Sequence, residues 1–183
     1  MDFKKCLRLF PLIFISTVCA YFVAHYDEWL PHRWQTYTAN DGAFSIEFPG
    51  KPAFDISQVA VDGGGSQTIN LINASPSANT YYSIAYLNQE NYGGTSPEDA
   101  LSRARDGSLQ KIQGRLISEK SMQVDGYPAV EIQANARGNS TFDARFVVTG
   151  HRLYMLASVA SNSSDREATT LKRFMNSFHI ERK

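Results

Sequence analysis

The residues of this sequence whose types could carry chemistry are not spaced as a catalytic motif. The four histidines are isolated in the chain: His25, His32, His151 and His179. A histidine base needs a nucleophile and an orienting partner within hydrogen-bond reach. Asp143 and Ser158 lie on predicted strands next to His151, but nothing in the sequence shows that the three converge. We therefore interpret His151 as a turn residue and keep a catalytic role as the weaker alternative.

Other motifs that would indicate an active site or a metal site are missing from the sequence. The glycine-rich stretch Gly63–Ser66 has no Lys-Ser/Thr pair and no helix after it, so it predicts a hairpin turn and not a phosphate loop. Neither G-x-S-x-G nor H-E-x-x-H occurs. Both cysteines, Cys6 and Cys19, lie near the N-terminus, which excludes a disulfide framework, a thiolate zinc site and a cysteine nucleophile from the rest. The sequence thus predicts no catalytic residue, no metal site and no cofactor.

Tyrosine is the residue type that gives the clearest indication of a binding surface. Tyr81, Tyr82 and Tyr86 lie on one predicted strand, and Tyr92 lies in the loop that follows it. Exposed tyrosine offers a large contact area at a low cost in conformational entropy. We predict that these four tyrosines and His151 contribute to a partner or ligand surface. The alternative is that the rings simply cover the core.

Charge excludes one class of partner. The formal net charge is zero, and without its first 20 residues the chain carries 15 basic and 17 acidic residues. A nucleic-acid-binding domain needs a basic surface that displaces counterions from phosphates. We therefore predict no nucleic-acid partner.

The N-terminal residues have the pattern of a membrane-targeting segment. Three positive charges within residues 4–8 precede an uninterrupted apolar or small run, Leu9–Ala24, and Asp27 and Glu28 follow it. Because positive residues stay on the cytoplasmic side, the pattern predicts a cytoplasmic N-terminus and an extracytoplasmic remainder. We assign residues 1–25 to an anchor or signal segment, 26–33 to a juxtamembrane linker and 34–183 to the folded domain.

Several fates of the apolar segment are open. The run continues through Tyr21–Ala24 without a polar region, which favours a retained single-pass anchor. Val18-Cys19-Ala20 is an acceptable cleavage site, and its use would leave a secreted or periplasmic protein that starts at Tyr21. Lipidation of Cys19 is a weaker option, since a lipobox needs a small residue where Val18 stands. A buried core helix would also suit a run of about 16 residues.

From Trp34 onward, short alternating runs between turn residues predict strands, interrupted by two helices. The predicted strands are Gln35–Thr38, Phe44–Phe48, Phe54–Val61, Gln67–Asn73, Tyr81–Leu87, Leu116–Val124, Ala129–Ala136, Phe142–Thr149 and Arg152–Ala160. Leu153–Ala160 is apolar on both faces, which predicts the central strand of the sheet. Hairpin connections predict a largely antiparallel sheet with helices packed on it, an α+β fold.

Both helices are marked by their ends and by their apolar faces. The first has Ser96 as N-cap, Pro97 at the first helical position and Gly114 at its end. The second starts near Ser164-Asp165. Its core-facing stripe is formed by Leu171, Phe174, Met175 and Phe178, which lie at helical spacing.

Three stretches of the sequence resemble the PsbP-like superfamily, which is named for an extrinsic subunit of photosystem II and includes many exported bacterial proteins. They are Trp34–Pro52 with its FSIEFPGKP ending, Gly126–Glu131 (GYPAVE), and the run Arg152–Leu156 followed by a helix ending at Phe174–Phe178. The resemblance covers roughly residues 34 to 180. It implies an αβα sandwich around an antiparallel sheet and a role in docking or assembly, usually without catalysis. The matched positions are structural, so the resemblance implies no active-site residue.

Together these observations predict a non-catalytic, membrane-tethered extracytoplasmic domain that binds a protein partner or assists assembly of an envelope complex. A small-ligand-binding domain, with its pocket between sheet and helix near Tyr86, Tyr92 and His151, is the alternative. An enzyme of unrecognised type has the least support.

Overall fold

A computed structural model of the chain describes residues 33–61, 65–88, 96–137, 140–161 and 165–181. The elements in chain order are β1 (Trp34–Thr38), β2 (Phe44–Pro49), β3 (Ala53–Val61), β4 (Gly65–Ser77), β5 (Thr80–Asn88), α1 (Pro97–Lys111), β6 (Arg115–Val124), β7 (Tyr127–Asn135), β8 (Thr141–Val148), β9 (Arg152–Ala160), α2 (Asp165–Asn176) and β10 (His179–Ile180). The predicted membrane segment Leu9–Ala24 lies outside these ranges. Within them, no helix has the length and hydropathy that a membrane span requires.

Local sequence explains the turn between β6 and β7 and the start of α1. Asp125 and Gly126, between β6 and β7, have positive φ values of 51° and 87°. This pair is the Asp-Gly type that a two-residue hairpin turn with positive φ favours. At the start of α1 the Ser96 hydroxyl accepts a hydrogen bond from the backbone N–H of Asp99 at 3.1 Å. This hydrogen bond pairs one of the backbone amides that the first helical turn leaves without a partner. It confirms the prediction of Ser96 as the N-cap.

The described residues contain ten strands, which pair antiparallel in two sheets. The larger has the order β3-β4-β5-β9-β8-β7-β6, and the smaller has the order β1-β2-β10. β9 occupies the middle of the seven strands, which confirms the prediction from its apolar residues on both faces. The fold is α+β with largely antiparallel sheets, as predicted. The separate small sheet was not predicted.

The large sheet has helices on both faces. Ala100 and Leu101 of α1 are buried against one face, where they pack on apolar residues of β7, β8 and β9. On the other face, α2 and the small sheet bury a core rich in aromatic rings. Phe174 of α2 packs against Phe48 of β2 and Tyr82 of β5, with ring centroids 5.4 and 5.2 Å apart. This second layer confirms that Leu171, Phe174, Met175 and Phe178 face the core, although Phe178 lies beyond the end of α2 and not on the helix as predicted.

Polar contacts fasten α2 to the small sheet. The Arg173 side chain donates to Glu47 at 2.8 Å, and its guanidinium lies 4.2 Å from the centre of the Trp34 ring. Strand β10 returns along β2, and the Ile180 N–H donates to the Asp125 carboxylate at 2.9 Å. The small sheet therefore joins the first and last described strands of the chain.

Candidate functional site

A concave pocket of about 870 Å³ opens at the turn between β8 and β9. We call it the turn pocket. Residues from five parts of the chain line it, including Asp41, Asn88, Tyr127, His151, Arg152 and Tyr154. Its wall includes Ile180 of β10, so the pocket lies where the edge of the small sheet meets the end of the central strands.

Arg152 is the anchoring residue of the turn pocket. Its Nη2 donates to the Asp41 carboxylate, and its Nε donates to the Asn88 side-chain oxygen at 2.9 Å. Its guanidinium lies 5.0 Å from the centre of the Tyr86 ring, a distance that allows a cation–π interaction. Among the described residues, its Nη1 is buried without a hydrogen-bond partner. Three contacts thus hold this cation in one orientation, and the Tyr154 side chain adds a further polar interaction.

Aromatic rings form the floor beneath Arg152. Tyr154 is only 2% exposed, and its ring packs edge-on against Phe44 at 5.4 Å. Burial raises the pKa of Tyr154, whereas the Arg152 guanidinium lowers it. Burial also raises the pKa of Tyr86, and nearby Tyr37 adds to that rise. Both hydroxyls therefore stay protonated at neutral pH and serve as neutral hydrogen-bonding groups.

His151 lies exposed at the rim of the turn pocket, in a turn that Thr149 organises. The Thr149 hydroxyl accepts backbone hydrogen bonds from His151 at 3.3 Å and from Arg152 at 2.9 Å. Asp143 and Ser158 pair directly across β8 and β9. Ser158 lies on β9, seven positions along the chain from His151, and an extended chain covers about 23 Å over that separation. The three residues consequently do not form a catalytic triad in this structure.

The structure places the predicted surface tyrosines in different environments. Tyr86 does not line the turn pocket, but its ring contacts Arg152, which does. Tyr82 is 1% exposed and belongs to the core, so a partner has no access to its ring. Tyr81 is half-buried and pairs with Val159 on the opposite face, which α1 covers. Tyr92 lies outside the described residues. Of the predicted set, Tyr86 and His151 come together at one end of the domain.

Sequence reasoning missed Asp41, Arg152 and Tyr127 as members of this site. Asp41 lies in the turn between β1 and β2, where its carboxylate accepts a hydrogen bond from the Ala43 N–H at 3.1 Å. Its second role, pairing with Arg152, joins residues 111 positions apart and leaves no periodic signal in the sequence. The pocket also lies at the junction of the two sheets, whereas the ligand-pocket alternative placed it between sheet and helix. The described residues contain no group of three or more His, Cys, Asp or Glu placed to hold a metal ion.

Comparison with known proteins shows similarity at the level of the fold. The sequence matches no protein-family model and no curated protein. The solution structure of cyanobacterial PsbP (CyanoP) from Synechocystis sp. PCC 6803 superposes with a TM-score of 0.56 at 13% identity, covering 82% of this chain and 94% of CyanoP. The crystal structure of PA94 from Pseudomonas aeruginosa, a protein of unknown function, superposes with a TM-score of 0.51 at 14% identity, covering 82% and 99%. The chain thus has the PsbP-like fold that its sequence resemblance implied.

Proposed function

We propose that residues 34–183 form a non-catalytic extracytoplasmic domain that binds a protein partner at the turn pocket. The observation that carries this proposal is the fixed orientation of Arg152, which Asp41, Asn88 and the Tyr86 ring hold in a concave surface. Arginine and tyrosine dominate the binding energy of protein interfaces, above all in well-packed pockets. The PsbP-like fold supports the same proposal, since the family resemblance implies docking or assembly.

Preorganisation is the physical reason for choosing this surface. A partner that contacts a free arginine side chain has to order its rotatable bonds, at a cost of about 0.5–1.5 kcal/mol. In the turn pocket, intramolecular contacts already order the Arg152 side chain, so binding does not carry this entropic cost. The rim residues Tyr127 and His151 add hydrogen-bonding groups around the anchored cation. This combination of a rigid centre and a polar rim is typical of protein interfaces.

Site-specific photo-crosslinking would test the location of the partner surface. A photoreactive amino acid replaces the exposed His151 in the full-length protein, expressed in its own cells. The matched control replaces Gln110, an exposed residue of α1. We expect a discrete crosslinked product from position 151 and none from position 110. Equal products from both positions, or no product from position 151, would contradict the proposed surface.

Small-ligand binding is the second candidate function, and the size of the turn pocket supports it. Its volume of about 870 Å³ lies within the usual range of ligand pockets, about 300–1,000 Å³. Native mass spectrometry of the protein purified from its own cells separates the two candidates. A constant mass increment that disappears when Gly150 is replaced by tryptophan would favour a ligand over a protein partner. Gly150 suits this test because no atom lies within 4 Å of the Cβ that a side chain would add.

We further propose that Leu9–Ala24 tethers this domain to a membrane, with the N-terminus in the cytoplasm. The apolar run and the positive charges before it support the tether. N-terminal sequencing of the mature protein, together with alkaline extraction of membranes, tests it. We expect an intact N-terminus in the membrane pellet. A mature protein that begins at Tyr21 and appears in the soluble fraction would mean cleavage and release.

A further inference from the structure

A second concave surface lies on the α2 side of the large sheet, away from the turn pocket. It is a groove of about 690 Å³ between α2 and the outer strands β6, β7 and β8. We call it the α2 groove. Met122 of β6 and Leu171 and Met175 of α2 give it apolar walls, while Glu131, Asp143 and Arg145 lie on its floor. The volume falls within the range of small-molecule sites, and the combination of apolar walls with a few polar groups is typical of them.

Arg145, the positively charged residue on the floor of the groove, forms contacts that link β7, β8 and α2. The Arg145 side chain is 8% exposed and donates to Glu131 through Nε at 2.9 Å and Nη2 at 2.5 Å. Its Nη1 donates to the Met175 carbonyl at 2.6 Å, near the end of α2. These contacts occupy Arg145, and they compensate the charge of Glu131. The Arg145 guanidinium is therefore not available to a ligand without breaking this pair.

Asp143 differs from Glu131, because no ion pair to its carboxylate is found among the described residues. Among the described residues, no lysine, arginine or histidine forms an ion pair with Asp143, and its side-chain partner is the neutral amide of Gln133. Burial raises the pKa of Asp143, the Gln133 hydrogen bond opposes that rise, and the nearby Glu131 carboxylate adds to it. A half-buried carboxylate of this kind gains free energy when a cation approaches it.

We infer that the α2 groove binds a small organic monocation, an ammonium or guanidinium group on a short apolar stem. The cationic group would contact Asp143, and the stem would lie along Met122, Leu171 and Met175. Lys120 and Lys172 are exposed lining residues of the same groove. Their charges disfavour a second positive group on the ligand, so a monocation is preferred over a polyamine.

Amide chemical shifts of the full-length protein in mild detergent would test this site. The probes are n-butylammonium, with butan-1-ol as the neutral analogue and butyrate as the anion. We expect butylammonium to shift resonances of β7, β8 and α2 and to bind at least ten-fold more tightly than butan-1-ol, because a charge-assisted hydrogen bond replaces a neutral one. Butyrate should cause no saturable shift. Equal affinities for all three probes, shifts confined to other surfaces, or no saturation would overturn the inference.

Two variants and one control identify the groups involved. Asp143→Asn should weaken butylammonium binding at least ten-fold while the spectrum stays that of the folded protein. Asp106→Asn, on the exposed face of α1, is the matched carboxylate control and should leave the affinity unchanged. Ala168→Trp fills the groove from an exposed position of α2 and should abolish binding with Asp143 intact. An affinity that is unchanged in both Asp143→Asn and Ala168→Trp would show that the probe binds elsewhere.

Discussion

Replacing Arg145 with methionine removes a buried charge that ties β7, β8 and the end of α2 together. The substitution fills a similar volume but deletes the hydrogen bonds to Glu131 and to the Met175 carbonyl. The Glu131 side chain is 40% exposed, so water can solvate its carboxylate at a cost of about 1 kcal/mol. The Met175 carbonyl would lose a buried donor, at a cost of about 1–3 kcal/mol. We expect the free energy of unfolding to fall by about 3 kcal/mol.

Urea denaturation followed by circular dichroism measures this loss. The midpoint should fall while the dependence of the free energy on urea stays unchanged, since the surface exposed on unfolding is the same. A loss of about 3 kcal/mol corresponds to a fall in Tm of about 6–12 °C for a domain of this size. The control is Arg105→Met, which removes two ion pairs, to Asp106 and Glu119, whose side chains are 64% and 33% exposed. Ion pairs with exposed partners contribute about 0.2–1 kcal/mol each, so the control should lose less stability than Arg145→Met.

The two members of the Arg145–Glu131 pair differ in solvent exposure, so removing each partner should have a different cost. Glu131→Gln would leave the Arg145 charge, 8% exposed, without its counter-ion, whereas Arg145→Met leaves a carboxylate that water reaches. The double variant should therefore lose less stability than the sum of the two single variants. If the losses simply add, or if Arg145→Met costs no more than Arg105→Met, the assigned role of the buried charge is wrong.

Three further substitutions have outcomes that the structure determines. Ser96→Ala should cost about 1 kcal/mol in urea denaturation because the Asp99 amide loses its cap. Asp143→Asn should stabilise the domain at pH 7, because folding raises the pKa of this carboxyl and therefore disfavours its ionised form. When unfolding is measured as a function of pH, this gain in stability should vanish below about pH 3, where the carboxyl is protonated in both states. Asp55→Ala should increase concentration-dependent association measured by light scattering, because its carboxylate accepts the Ile56 N–H at 2.8 Å on edge strand β3. The first two predictions are contradicted if Ser96→Ala stabilises the domain or if Asp143→Asn destabilises it at pH 7. The third is contradicted if Asp55→Ala associates no more than the unsubstituted protein.

Local sequence signals were sufficient to predict most elements. The apolar run that predicted a strand over Arg152–Ala160 has the bounds of β9, and its apolar character on both faces predicted its central place in the sheet. The capping serine predicted the start of α1. These signals work because they depend on neighbours within a few positions, where side-chain direction repeats with the period of the element.

The interactions that were missed join distant parts of the chain. Asp143 and Arg145 alternate with apolar residues, which is the pattern of a strand with one face in solvent. In the structure α2 covers this face of the sheet and buries Arg145. The sequence held no sign that the Met175 carbonyl, 30 positions away, would meet that guanidinium. Strand β10 was missed for a similar reason. Its two residues are too few for a period, and its register comes from β2.

The return of β10 to β2 has a consequence for the order in which the domain becomes structured. Residues 44–45 at one end of the domain pair with residues 179–180 at the other. A chain synthesised from its N-terminus cannot complete the small sheet until its final strand has emerged. Contacts over such long sequence separations slow folding, because the intervening chain must first be ordered. Deleting residues 179–183 should therefore leave the small sheet open and expose the aromatic core beneath it.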